Sequence, residues 1–407
     1  MPINFDIEID RRHTGSVKWE RVPDPQDPSR KNKDDACFGR RLLPMWVADM
    51  DFPSPEPVVK ALQERTRHGI FGYTQPDPAY MEAVTGWMKK RHGWQTEESW
   101  IVPTPGVVPA LHLLVRALTR PGDKVLIQRP VYYPFFSAIE KNGCRMVSNS
   151  LVLTDGRYHM DYQDLETKAS DPDVKLAILC SPHNPVGRVW TRAELQRFGR
   201  ICLRNHVRVI SDEIHGDLVY PGVTFVPFAM ADSAFRENCI VCTAPSKTFN
   251  LAGLQTSNIF ISDREIRQKF KDGLLADGLS GLNPFGATAC RAAYEAGEPW
   301  LESLLQYLNG NLHALISLFE SEIPDIRVIR PQGTYLVWFD CRALHMDTQR
   351  LSRLFLEQAR VFLDDGTLFG PEGDGFQRIN IACPRSLLLE ALGRIILEVK
   401  KSLNRIV

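Results

Sequence analysis

Five apolar runs, separated in several places by helical stretches, most constrain the fold of this chain. They are KVLIQ (Lys124–Gln128), LAILC (Leu176–Cys180), VRVI (Val207–Ile210), CIVCT (Cys239–Thr243) and NIFI (Asn258–Ile261). Helical patterns such as TRAELQRFGRICLR, Thr191–Arg204, lie between them. Continuous apolar strands separated by helices predict an α/β domain built on a mostly parallel sheet flanked by helices. A second alternation follows a helix expected over Pro299–Asn311. It runs through Arg327–Arg330, TYLVWFD, a helix over Thr348–Ala359, a strand over Gln377–Ile381 and a helix over Arg385–Asn404, and it predicts a smaller α+β domain. The expected division is an N-terminal arm and part of the small domain over 1–45, a large domain over 46–298 and a small domain over 299–407. The segment Val22–Arg40 is polar and rich in Pro, Asp and Lys, and reads as a surface arm or linker.

A chain of 407 residues is too long for one simple core, consistent with that division. Lys+Arg and Asp+Glu both number 49, so no global charge draws the protein to nucleic acid or an anionic membrane, and a small molecule is the default partner. The N-terminus has no apolar signal-peptide core, and no apolar run approaches the length of a membrane span. Nine cysteines, an odd number without framework spacing, read as reduced thiols of a cytoplasmic protein. Cys239 and Cys242 form a CxxC, but residues three apart on a strand point to opposite faces, so the pair reads as strand packing and no metal is expected.

Three polar groups stand just past the ends of consecutive apolar strands: Asn184 in SPHNP, Asp212 in SDEIH and Lys247 in APSK. Taken singly, each has a plainer reading: Asn184 as a turn residue before proline, Asp212 as a helix cap, Lys247 as a surface lysine. Together they describe one site, because ligands of open α/β sheets bind beyond the carboxyl ends of the strands. A protonated pyridine nitrogen requires a carboxylate, a phenolic oxygen requires a donor, and an aldehyde requires an amine of lowered pKa. Pyridoxal phosphate asks its protein for these parts. Gly106 opens a helical run whose Val107 and Val108 N–H groups suit an anion, or serve as an ordinary helix cap. Ser246 offers a hydroxyl beside Lys247; Tyr132 offers a ring to stack on the pyridine or to pack the core; His215, three residues after Asp212, is either at the ring edge or structural.

These residues resemble fold-type I pyridoxal-phosphate enzymes, the aspartate aminotransferase superfamily, and within it the MalY/PatB-like cystathionine β-lyase (C–S lyase) family. The resemblance rests on IDRRHTGSVKWE, LPMWVADMDFPSP, FGYTQPDPAY, PGVVPAL, PVYYPF, SPHNPVGRVW, SDEIHGDLVY, SKTFNLAGLQTSN, NPFGATA, GTYLVWFD and RINIACPR, in this order along nearly the whole chain. It implies that Lys247 is the Schiff-base lysine, Asp212 pairs with the pyridine nitrogen, Asn184 bonds the ring hydroxyl and Tyr132 stacks on the ring. It further implies a homodimer in which Tyr73 reaches the neighbouring subunit's phosphate. Arg378 would grip the substrate carboxylate with a planar fork, Ala48–Asp49 would line the same pocket, and Arg385, seven residues on, is a second candidate for the carboxylate. Two positions depart from the pattern. Many aminotransferases have Arg where this chain has Gln255, which fits the lyase subgroup. Gln332 stands where the subgroup often has Glu.

The expected activity is cleavage of the Cβ–S bond of an L-cysteine conjugate or cystathionine to thiol, pyruvate and ammonia. An aminotransferase on the same scaffold is the alternative. A regulatory or binding protein that keeps the cofactor fold is the third, set against the presence of both Lys247 and Asp212. No G-x-G-x-x-G, Walker loop or G-x-S-x-G supports another α/β chemistry.

Overall fold

The computed structural model describes residues 3–24, 27–32, 42–279 and 281–404. Within the expected arm Val22–Arg40, Val22–Asp24 pairs antiparallel with Asp27–Asn32, while residues 25–26 and 33–40 lie outside the described residues.

The seven strands of the central sheet, in chain order, are β1 (Ile101–Thr104), β2 (Lys124–Ile127), β3 (Arg145–Ser148), β4 (Val174–Cys180), β5 (Arg208–Asp212), β6 (Cys239–Thr243) and β7 (Ser257–Ile261). Their spatial order is β1-β7-β6-β5-β4-β2-β3. The pairings from β3 to β6 are parallel, and β7 runs antiparallel to both its neighbours. Reversing twice across β7 returns β1 to the common direction, so β1, β2, β4, β5 and β6 all end at one edge.

The unbroken apolar runs follow from burial on both faces. Ala177, Val209, Val241 and Cys239 join one core cluster; Ile178, Ile210, Ile240 and Cys242 join the other. The two thiols of the CxxC are thus on opposite sides of the sheet, as strand alternation requires. The helix before β5, α1 (Arg192–Arg204), begins with a capping box in which Thr191 and Glu194 satisfy each other's backbone N–H groups.

Beyond Glu298–Glu322, a helix longer than the expected Pro299–Asn311, the chain builds a four-stranded antiparallel sheet from Arg327–Ile329, Leu336–Asp340, Phe376–Asn380 and Asp364–Asp365. The helix expected over Thr348–Ala359 is α-helical through Ser352 and then widens to a π-helical stretch, Arg353–Gln358. Leu43–Pro44 pairs in parallel with Val361–Phe362 in a separate two-stranded sheet, which ties residues early in the sequence to the segment just before Asp364–Asp365. Among the described residues, no helix is long and apolar enough to cross a membrane.

Candidate active site

The common edge of the parallel strands gathers the polar groups. β5 ends on Asp212 itself rather than two residues before it, so the carboxylate belongs to the strand and faces Cys180 and Cys242 in register. Asp212 is 3% exposed. It accepts the Ile214 N–H at 3.3 Å and forms no ion pair with any described side chain. Burial pushes its carboxyl up to about 7, against the pull of the Ile214 N–H and the Lys247 charge. A buried acid so poorly matched within the protein suits a cationic ring nitrogen.

Past β6, Ala244 leads into a single helical turn, Pro245–Thr248, which lifts Ser246 and Lys247 over the edge. The Lys247 amine donates to the Ala48 carbonyl at 2.5 Å. Burial pushes it down to about 8; Asp49 and Asp212 oppose the shift and Arg378 adds to it. A nucleophilic amine needs this lowering. Past β1, Gly106 holds φ 123° and caps α2 (Val107–Leu118), a conformation that glycine takes without strain. Thr104 fixes this turn by donating to the Gly106 carbonyl at 3.2 Å. Pro109 in the first turn has no N–H, so Val107 and Val108 carry the donors at this terminus. Tyr132, in the turn after β2, is mostly buried near Asp212 and Arg378, and burial raises its phenol. His215 is 4% exposed; its Nδ1 is buried without a partner among the described residues and its ring meets Tyr335 edge-on at 6.1 Å.

Arg378 comes from the small sheet and closes the site. Nη1 donates to Asn184 Oδ1 at 2.9 Å, Nη2 donates to the Trp46 carbonyl at 3.0 Å and pairs with Asp364, and the guanidinium lies 4.8 Å from the centre of the Phe369 ring. Arg385, the second candidate for the carboxylate, is engaged with Tyr307 and Asn311 instead. Its N–H bonds the Tyr307 hydroxyl, its guanidinium lies over that ring at 5.4 Å, and Nε donates to Asn311. The first turn of its helix packs Arg385 against Glu298–Glu322.

The segment Ala48–Asp51 is pinned from several directions that sequence spacing did not reveal. Tyr335 Oη donates to the Ala48 carbonyl at 2.9 Å, the same oxygen that holds Lys247. Asn380 Nδ2 donates to the carbonyls of Val47 and Asp49 at 2.6 and 2.7 Å. Asn250, at φ 58°, a left-handed position that asparagine tolerates, exchanges bonds with the Met50 N–H and carbonyl and donates to Phe52. From the N-terminal segment, Arg11 pairs with Asp49 and Asp51, both at 2.7 Å, and Lys18, with no exposed surface, pairs with Asp51 at 2.7 Å. Each of these residues falls inside a stretch that carried the resemblance, yet contacts across 33 to 333 positions leave no local signal.

Gln255 is exposed at φ 48°. Gln332 accepts from Arg188, which also pairs with Glu194, and from the Val189 N–H at 3.3 Å. Gln332 thus ties the chain before Tyr335 to the loop after Asn184. Tyr73 is fully exposed, beside exposed Ile70 and Phe71.

The model of the family described as aminotransferase class I and II matches residues 42–395. The chain belongs to that family. It is 45% identical to cystathionine β-lyase PatB of Bacillus subtilis, over 97% of this chain and 99% of that protein, and 33% identical to protein MalY of Escherichia coli, over 97% and 98%. Among solved structures it is similar to cystalysin from Treponema denticola, which contains pyridoxal 5'-phosphate, with TM-score 0.92, 38% identity and coverage of 98% and 100%. The pyridoxal-phosphate-bound C–S lyase from Staphylococcus hominis gives TM-score 0.89, 34% identity and coverage of 98% of each chain. The groups at the strand edge fit the cofactor these two structures hold: an acid, an amine of lowered pKa, an amide and a glycine-capped helix terminus.

Proposed function

We propose that this protein is a pyridoxal-phosphate-dependent carbon–sulfur β-lyase that cleaves L-cysteine conjugates or cystathionine to a thiol, pyruvate and ammonia. Pyridoxal phosphate is the cofactor, and when bound it supplies an electron sink for the charge left on Cα. The observation that carries the reading is the meeting of Lys247, Asp212, Asn184 and Arg378 at one sheet edge, in a chain related over its length to lyases of this chemistry.

Lys247 is the Schiff-base residue and, once released by the substrate amine, takes the Cα proton as general base. Asp212 keeps the ring nitrogen protonated, Asn184 bonds the ring hydroxyl, and Tyr132 covers the ring face with His215 at its edge. Gly106, the N–H groups of Val107 and Val108, and Ser246 cradle the phosphate. Arg378 receives the substrate carboxylate, and the Ala48–Asp49 backbone lines the same pocket. Tyr73 reaches the phosphate of a second subunit, which makes the active unit a homodimer of shared sites. The working division is an arm over 1–45, a cofactor domain over 46–298 and a small domain over 299–407, in a cytoplasmic protein.

The deciding experiment incubates purified protein with an L-cysteine thioether and no keto acid. Pyruvate and free thiol are expected. Turnover that requires a keto acid acceptor, with transfer of the amino group to it, would establish an aminotransferase instead.

A further inference from the structure

We infer that Asp364 is the resident carboxylate of the substrate site: it holds the Arg378 guanidinium until the substrate's own carboxylate takes its place. The inference rests on the reading that Arg378 receives that carboxylate. Arg378 is 3% exposed and almost fully committed. Nη1 is held by Asn184, Nη2 by Trp46 and Asp364, and Nε is buried with no partner among the described residues. A carboxylate grips a guanidinium through two adjacent N–H groups. The Nε–Nη2 edge is such a fork, and in this structure it is half used: Asp364 Oδ2 takes Nη2 and leaves Nε unpaired. The Nη1–Nη2 edge is occupied by Asn184 at one end and by Asp364 and Trp46 at the other. A second carboxylate therefore meets Asp364 on either edge.

The backbone makes this an exchange rather than a rearrangement. Asp364 lies directly opposite Arg378 in the antiparallel pairing of Asp364–Asp365 with Phe376–Asn380. Both main chains are fixed by the ladder, and a side-chain rotation is enough to free Nη2. Asp365 next to it is bound elsewhere, to Ser352 and Gln377 at 2.5 and 2.7 Å, so it does not replace Asp364 at the guanidinium. A buried guanidinium without a counter-charge is costly, and Asp364 meets that need in the free enzyme. Burial also holds the Asp364 carboxyl above the ordinary carboxylate range even with Arg378 against it. The consequence is competition: every carboxylate substrate binds against an internal rival, and its apparent affinity is lowered by the fraction of Arg378 already engaged.

The sign of the effect separates exchange from a structural role. Holoenzyme is titrated with L-alanine, which has the carboxylate and no leaving group, and with ethylamine, which has neither, following the cofactor absorbance. Asp364→Asn keeps the shape and removes the charge; it is expected to tighten L-alanine about threefold or more while ethylamine shifts less than about twofold. L-Alanine binding that weakens, stays the same, or tightens in step with ethylamine overturns the exchange. Asp364→Ala carries the same test if the Asn variant does not fold. Arg378→Ala is measured alongside. If it abolishes the preference for L-alanine while Asp364→Asn does not strengthen it, Asp364 is structural and Arg378 keeps its role. If Arg378→Ala retains the preference, the reading of Arg378 itself falls.

Discussion

Lys18→Met tests how far the N-terminal segment determines the site. Lys18 has no exposed surface and pairs with Asp51 at 2.7 Å. Burial works to raise the Asp51 carboxyl, but Lys18 foremost, with Trp19 and Arg11, brings it below the ordinary range. Removing one partner of a buried pair costs about 3–5 kcal/mol because the other charge is left without compensation. Asp51 would still accept from Arg11 at 2.7 Å and from Trp19 Nε1 at 2.8 Å, which places the loss near the lower end, about 3 kcal/mol. A group whose folded pKa is depressed contributes stability that is present above its unfolded pKa and lost as pH falls through the folded value. The gap between variant and parent is therefore widest at neutral pH and narrows below the ordinary carboxylate range. The assay is guanidinium unfolding of holoenzyme followed by tryptophan fluorescence at several pH values, together with kcat/KM. Asp51 is three residues from the carbonyl that holds Lys247, so a loosened segment should also lower kcat/KM by about tenfold or more. A variant with the parent's unfolding midpoint and turnover at neutral pH refutes the reasoning.

Three further outcomes are expected. With its amine at about 8, Lys247 is roughly one-tenth neutral at pH 7 and nine-tenths at pH 9, so cofactor capture by apoprotein, trapped on Lys247 with borohydride, should rise about tenfold over that interval and then level; a rise continuing past pH 10 contradicts the lowered value. Asp212→Ala should reduce turnover about a hundredfold or more by removing the charge that stabilises the protonated ring; near-parental turnover of pyruvate excludes that role. If Tyr73 serves the other subunit, mixing Lys247→Ala with Tyr73→Ala protein should restore up to about a quarter of parental sites through mixed dimers, and recovery no greater than the sum of the separate activities places Tyr73 in its own subunit's site or none.

The sequence disclosed the central sheet well where strands are buried on both faces. CIVCT is a strand over the residues expected, Cys239–Thr243, and NIFI gains one residue as Ser257–Ile261. β1 and β3 were missed because IVPT contains proline and RMVS is short and half-exposed, so neither presents a continuous apolar run. Asp212, Asn184 and Lys247 were legible as a set because each follows an apolar run in order along the chain. Tyr335, Asn250 and Asn380 were not, because they act through carbonyls about 200 or more positions away, and Asp364 was not, because its pairing with Arg378 depends on the register of two strands. Arg378 and Arg385 could not be told apart by type; the expected strand and helix already separated their settings, but what each binds, Asn184 and Asp364 or Tyr307 and Asn311, exists only in the fold.

Arg11 and Lys18, early in the sequence, and Arg378, late in it, bind the same stretch, Trp46–Asp51, and Leu43–Pro44 gains its strand partner from Val361–Phe362. A nascent chain on the ribosome has Lys247 and Asp212 in hand long before it has the strand that carries Arg378. Such long-range closure is slow to form. The cleft is therefore complete only once residue 378 has been made, and capture of the cofactor by chains stalled before residue 376, measured by borohydride trapping, should fall well below that of released protein.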